Sequence, residues 1–483
     1  MVGMKTIIRV ILAGVLASLA LGCMTRKDEI PESVSGRVFH ASLEQPSEGD
    51  TRVYVSSYRQ LLWDEDDRIS VFDRTDANTQ FRFTGSTGDA LGEFEQVGEA
   101  SGTGNPVNRV YAVYPYAASN TVLESGKLSI VYPKEQYYRR NSFGGGANVM
   151  VSATENDRLQ FWNACGYLCL TLYGKGVSVS SVTLRGNDGE ILAGRGTVDM
   201  TSGIPSVSME GADKEITLIC DEPVQLEGTS SQYTNHQFWL TLPPVSFRKG
   251  FTVTVRDASG GYFVKSTDKP ITIERNRLSR MAITWVWYQS DAEIIDLGLS
   301  VKWRNRNIGA DNPEDSGRYF AWGEVYSKED YSLSTYAWYN DYSKEWTKYC
   351  SSYLFGIVDG KSSLDAGDDA AHVILGGHWR MPASDEMNEL GSFSRLWTEV
   401  NGVAGVWLIS PRNGHSIFLP LAGRREGRDL IVEKPEGAYW GSALRFDFID
   451  TATILSLETE YHSVFLGGQY RYIGLPIRPV YDE

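Results

Sequence analysis

Apolar residues at every second position dominate the chain from about residue 33 to residue 290, and a period of two dictates extended strands. In Phe251-Thr252-Val253-Thr254-Val255 the alternation puts Phe251, Val253 and Val255 on one face. Ser259-Gly260-Gly261 then turns the chain and Tyr262-Phe263-Val264 returns, which is the pattern of a hairpin. Phe238, Leu240 and Leu242 alternate with Trp239 and Thr241 until Pro243-Pro244, which cannot donate to a ladder, ends the strand. Residues 68–72, 109–114 and 182–184 read the same way, and no window here holds a sustained helical period. Short strands at regular spacing predict β-sandwiches.

Length and composition fit this. A chain of 483 residues allows about three domains. Hydrophobic residues at 42% with 22% charged exclude disorder of the bulk. A formal charge of −15 argues against nucleic acid as a partner. The cysteines are Cys23, Cys165, Cys169, Cys220 and Cys350, with no CxxC, so neither a disulfide scaffold nor cysteine-held zinc is expected. Cys165 and Cys169 are four apart on one side of a strand and read as half-buried thiols. A break near Thr154-Glu155-Asn156-Asp157 predicts one sandwich over 33–157 and a second over 158–288. Residues 289–483 differ in texture, with helical candidates at 365–375 and 384–390, the second capped by Ser384. The fold class is therefore mainly β, two tandem β-sandwiches followed by a small α+β domain.

The N-terminus bears on location. Lys5 and Arg9 precede an apolar run over 10–22, too short to anchor in a bilayer but suited to a signal peptide over 1–22. Leu19-Ala20-Leu21-Gly22-Cys23 resembles the bacterial lipobox, with Ala20 where a branched residue is preferred. The resemblance implies lipidation of Cys23 and a membrane held through that lipid. Residues 23–32 form a linker in which Lys27-Asp28-Glu29 looks like the surface-export signal of Bacteroidetes-type lipoproteins. The cell outer membrane is the expected location.

Two longer resemblances follow. Residues 33–288 resemble the fimbrillin family, the lipoprotein pilins of type V fimbriae. The resemblance lies in Trp63-Asp64-Glu65-Asp66-Asp67-Arg68-Ile69-Ser70-Val71-Phe72, Tyr111-Ala112-Val113-Tyr114-Pro115, Leu159-Gln160-Phe161-Trp162-Asn163 and Leu242-Pro243-Pro244. It implies transthyretin-like sandwiches and assembly with other pilin subunits by strand donation, after a protease removes the first strand. That strand would be 34–43, whose weak alternation favours exchange. The polar loop behind it ends at Arg52, a candidate processing site for an Arg-directed protease; the plain alternative is a solvated basic residue. Residues 289–483 resemble the Fibrobacter succinogenes major paralogous domain. Here the matching segments are Asp296-Leu297-Gly298-Leu299-Ser300-Val301-Lys302-Trp303, Tyr319-Phe320-Ala321-Trp322-Gly323-Glu324, Gly376-Gly377-His378-Trp379-Arg380-Met381-Pro382 and Ile477-Arg478-Pro479-Val480. This implies a C-type-lectin-like domain, a fold that does not settle function.

The calcium-binding triplets of that superfold, Glu-Pro-Asn, Gln-Pro-Asp and Trp-Asn-Asp, do not occur, so calcium does not carry over. No HExxH, Gly-x-Ser-x-Gly or phosphate-binding loop is present, and the histidines are scattered. No cofactor or metal is expected, and the chain reads as a binding protein rather than an enzyme. Tyr336-Ala337-Trp338-Tyr339-Asn340-Asp341-Tyr342, then Trp346 and Tyr349, form an aromatic stretch among polar residues. Trp338, Tyr339, Tyr342, Trp346 and Tyr349 are candidates to stack on a sugar or anchor a protein partner; the same rings could instead cover the domain's own core. The expected function is adhesion to a glycan or protein ligand on a host or neighbouring cell, from a pilus tip or accessory position. The rival is a glycan-binding surface lipoprotein of a polysaccharide-uptake system.

Overall fold

A computed structural model describes residues 34–45, 47–48, 60–98, 104–123, 126–228, 236–432, 436–445 and 448–482. The chain is mainly β, with 51% strand against 5% helix. Among the described residues no helix is long and apolar enough to cross a membrane.

The first sheet closes on itself. Its order is Val34–Leu43, Arg158–Asn163, Met150–Thr154, Val110–Tyr114, Arg68–Phe72, Thr79–Phe83 and Leu91–Val97, which returns to Val34–Leu43. Closure depends on Val34–Leu43, which runs parallel to Arg158–Asn163 and antiparallel to Leu91–Val97. Trp63 fills the middle, its ring edge-on to Phe94, Tyr114 and Phe161 at 4.9, 5.7 and 5.6 Å. Such edge-to-face contacts suit the charge distribution of aromatic rings.

Two facing sheets follow. One runs Ser142–Phe143, Glu135–Arg139, Glu215–Gly228, Gly174–Gly186, Phe251–Arg256 and Tyr262–Ser266; the other His236–Leu242, Gly166–Leu172, Arg277–Ile283 and Ser47–Glu48. Leu168, Leu170 and Phe238 from one sheet meet Val182, Leu184, Leu218 and Val253 from the other in a single core. The clean alternation of Phe251, Val253 and Val255 places all three in it.

Strand pairing crosses the cut expected at 157/158. Arg158–Asn163 pairs inside the barrel, whereas Lys127–Tyr132 and Glu135–Arg139 leave the barrel's stretch of chain for Gly194–Asp199 and Glu215–Gly228. Alternation shows that a strand exists but does not choose which edge it joins. Cys165 and Cys169 are fully buried thiols outside any disulfide, rather than half-buried ones.

The region from Ile294 onward opens with short strands. Lys302–Arg304 pairs with Val480–Tyr481, so the two ends of this region meet. Two three-stranded sheets complete it, Ser394–Val400 with Val403–Ile409 and Ser416–Pro420, and Glu436–Leu444 with Thr451–Glu458 and Ser463–Tyr470. The candidate at 365–375 splits into a 3-10 turn, Ala366–Asp368, and a helix, Ala370–Leu375, because Asp369 caps the latter by accepting from Ala371 and His372 N–H. Ser384 is not a cap, as the sequence predicts, but the first residue of helix Ser384–Glu389. Glu386 instead reaches back to accept from Ala383 N–H at 2.7 Å.

The region is docked on the preceding sandwich. Tyr288 donates its N–H to Gly414 at 2.6 Å and its hydroxyl to Ser178 O at 2.8 Å. His415 pairs with Asp257 across the junction, and its Nδ1 lies 2.9 Å from Asp296 O.

Candidate functional site

The first candidate is the strand that closes the barrel. The alternation of Val34–Leu43 is stronger than the sequence reading allows, because Leu43 continues the inward face of Phe39 and Ala41. His40 and Ser42 lie on the outward face. Main-chain ladders hold both edges of the strand. Its C-terminal end enters a polar knot. Arg275 forks onto Glu44, Nη1 to Oε2 at 2.5 Å and Nη2 to Oε1 at 3.0 Å. Asn163 donates to Glu44 O at 3.0 Å and to Asn276 Oδ1 at 2.7 Å, and Asn276 donates to Gln45 O at 2.9 Å. This knot joins residues far apart in sequence and carries no motif, so sequence reasoning missed it.

The second candidate is the aromatic stretch. Tyr339–Asn340 and Glu345–Trp346 form a small hairpin. Two of the five proposed ligand contacts are core instead. Trp346 and Tyr349 are buried, and Arg471, with no exposed surface, lies under the rings. The Arg471 guanidinium carbon is 4.4 Å from the Trp346 ring, 5.1 Å from Trp322 and 5.4 Å from Tyr336. Its N–H groups donate to Lys348 O, Ile449 O and Tyr349 O at 3.0, 3.2 and 3.3 Å. The rings thus stack on the chain's own cation.

Trp338 is also engaged. Lys348 Nζ stands 5.0 Å from its ring and 4.9 Å from that of Tyr349. Burial opposes the Lys348 charge, but Asp368 and Asp365 outweigh it and hold the ammonium above its ordinary value. Burial and then Asp368 push the Tyr349 hydroxyl up to about 12. Trp338 Nε1 donates to Gly323 O at 3.0 Å, and Tyr339 rests edge-on against Trp346 at 5.2 Å. Of the five, Tyr342 alone stands in solvent, at 98% exposure. Lys348 and Arg471 carry no signal legible in the sequence, since a lone cation has no period.

Cys23 and Arg52, the lipidation and processing candidates, lie outside the described residues. Among the described residues no group of three or more His, Cys, Asp or Glu is placed to hold a metal ion.

No protein-family model matches the chain, and no curated protein does. Solved structures give distant likenesses. A candidate cell adhesion protein from Bacteroides ovatus is 14% identical over 51% of this chain and 92% of its own, with a TM-score of 0.31. The tip fimbrial protein Mfa3 from Porphyromonas gingivalis, C-terminally truncated, is 9% identical over 53% of this chain and 97% of its own, with a TM-score of 0.20. A fimbrial protein from Bacteroides ovatus is 10% identical over 87% of this chain and 95% of its own, with a TM-score of 0.19. Likeness at this distance does not place the chain in a family.

Proposed function

We propose that the chain is a fimbrillin-like lipoprotein of the cell surface, anchored through Cys23, that joins other pilin subunits and adheres through residues 289–483, a lectin-like region. One observation carries the assembly half of this reading. Val34–Leu43 is paired on both edges and places Phe39, Ala41 and Leu43 in the barrel core. Its removal would leave two bare ladders and an apolar groove, which a strand of the same alternation from another subunit would fill. Cleavage at Arg52 would release it.

The last described strand is unsuited to donate. Val480–Tyr481 is held between Lys302–Arg304 and Trp379–Arg380. The last strand of the sandwich, Arg277–Ile283, runs on into residues fastened to both sides of the junction. A subunit that accepts a strand and gives none belongs at a tip or in an accessory position.

The test is assembly. Protein trimmed after Arg52 is mixed with a shaft pilin and examined by size-exclusion chromatography and electron microscopy. Capped one-to-one ends are expected. Polymers of this protein alone would contradict the reading, since they need a donor strand that is tied up here.

A further inference from the structure

Over residues 353–358 the chain turns its apolar side chains to water. Tyr353, Leu354, Phe355, Ile357 and Val358 are each between 50% and 84% exposed. Covering them against the protein would be favourable, so their exposure needs a restraint. The main chain supplies it. Phe355 donates its N–H to Ser352 O at 3.0 Å and accepts from Trp346 N–H at 2.9 Å, and Ile357 donates back to Trp346 O at 2.9 Å. Trp346 is buried, so these bonds tie the loop to the core. Gly356 lies so close to that strand that a Cβ on it would collide with Trp346 O. Behind the loop, the Asp359 carboxylate accepts from the N–H groups of Tyr349 and Cys350 at 2.7 and 3.0 Å, and Asp359 N–H donates to Cys350 O at 3.1 Å. The apolar side chains therefore stand on a fixed frame, and large apolar groups held open to water in one place mark a contact surface.

Charge, composition and shape define the partner. Residues 351–358 carry no charged side chain, and the formal charge of −15 on the whole chain disfavours an anionic surface. Leu, Phe, Ile and Val are the residues whose transfer into a bilayer is favourable, and Tyr settles at its interface. Anchors of protein–protein contacts are instead rich in Trp, Tyr and Arg, with Leu and Val under-represented. The five side chains leave neighbouring points of one turn, and none of them is covered. A flat protein face would cover one flank of such a turn, whereas lipid surrounds what enters it. Phe355 N–H and C=O and Ile357 N–H are already paired within the chain, which lowers the cost of taking the loop out of water.

We propose that this loop inserts into the interface of a zwitterionic lipid bilayer, that of the cell to which the protein adheres. The assignment rests on the reading of residues 289–483 as the adhesive part of the chain, and it moves the contact from the aromatic stretch to the loop tied to Trp346.

The full chain is used with Cys23→Ala, so that no acyl chain joined there enters a vesicle. A polarity-sensitive dye attached through Leu354→Cys should brighten and shift to the blue with phosphatidylcholine vesicles. The same dye attached through Leu91→Cys, 76% exposed in the barrel, should not respond. The other described cysteines are buried and spared by the label. In vesicle flotation, Leu354→Ser combined with Ile357→Ser should weaken binding about tenfold or more at unchanged melting temperature. Should that pair melt early, Tyr353→Ser with Val358→Ser takes its place under the same criterion. No response at position 354, equal responses at 354 and 91, binding to phosphatidylglycerol vesicles alone, or equal flotation of wild type and variant overturns the assignment. So does a dimer that the variant loses without any vesicle binding, which would give the loop to a second copy. Cells displaying the chain should capture the phosphatidylcholine vesicles; purified protein that binds while such cells capture none would turn the loop toward their own membrane and overturn the assignment. Adhesion of these cells to other cells is scored in parallel. Adhesion that the variant retains leaves the adhesive reading standing and removes the loop from it. Vesicle capture lost in the variant, in cells that never adhere, keeps the lipid contact and removes the adhesive reading.

Discussion

At the scale of single residues, the aromatic stretch shows how a side chain's neighbours decide its role. Trp346 and Tyr349 have the composition of a sugar platform, yet Arg471 occupies the place a ligand would take. Trp346→Ala is therefore expected to destabilise the protein by about 3–5 kcal/mol, as loss of a buried aromatic does. Tyr342→Ala should stay within about 0.5 kcal/mol, as a solvated position does. Urea unfolding of both variants checks this. Equal, small effects would return Trp346 to the ligand surface. Arg471→Ala removes a cation and leaves three carbonyls without donors, so a loss of about 2–4 kcal/mol is expected. Arg471→Lys should recover only part, because an ammonium lacks the planar fork that reaches all three.

At the scale of elements, Val34–Leu43 is the piece whose attachment matters. One ladder runs from Val34 to Ser42 and a second holds His40–Leu43, its apolar face enters the core, and the Glu44–Arg275 fork holds its end. Arg275→Ala breaks a largely buried pair and leaves the Glu44 carboxylate short of donors. A local loss of about 1–3 kcal/mol is expected. Hydrogen exchange at the amides of Phe39, Ala41 and Leu43 should quicken accordingly, with exchange in Phe251–Arg256 unchanged. Uniform quickening in both strands would mean that the fork stabilises the whole molecule rather than latching one strand.

At the scale of the whole molecule, the docking of residues 289–483 on the sandwich turns on Asp257 and His415. Burial lowers the pKa of His415, but the Asp257 carboxylate outweighs it and holds the imidazolium above its ordinary 6.5. Burial raises that of Asp257, but the His415 hydrogen bond and charge pull it below its ordinary 3.8. A raised histidine contributes its stability in full below 6.5 and loses it as pH rises through the folded value. A lowered aspartate contributes above 3.8 and loses its part as pH falls through the folded value. The pair is thus strongest from roughly pH 4 to 6.5 and fades on the alkaline side. The melting advantage of wild type over His415→Gln should shrink as pH is raised from 6 to 9. A constant advantage would show that His415 acts through packing on Tyr288 and neutral hydrogen bonding rather than through its charge.

The sequence by itself determined the strands and their inward faces. Phe251, Val253 and Val255 enter one core as their spacing requires, since alternation and side-chain direction are local properties of an extended chain. It also placed helical turns near 365–375 and 384–390, though not their caps, because which side chain, Asp369 or Glu386, reaches each helix's first N–H groups is decided by geometry. Only the tertiary structure decided which edges pair, so that Arg158–Asn163 joins the barrel and Lys127–Tyr132 leaves it. It alone also decided which aromatic rings are covered. Both outcomes depend on groups distant in sequence, Glu44 with Arg275 and Trp346 with Arg471, whose meeting no local pattern encodes.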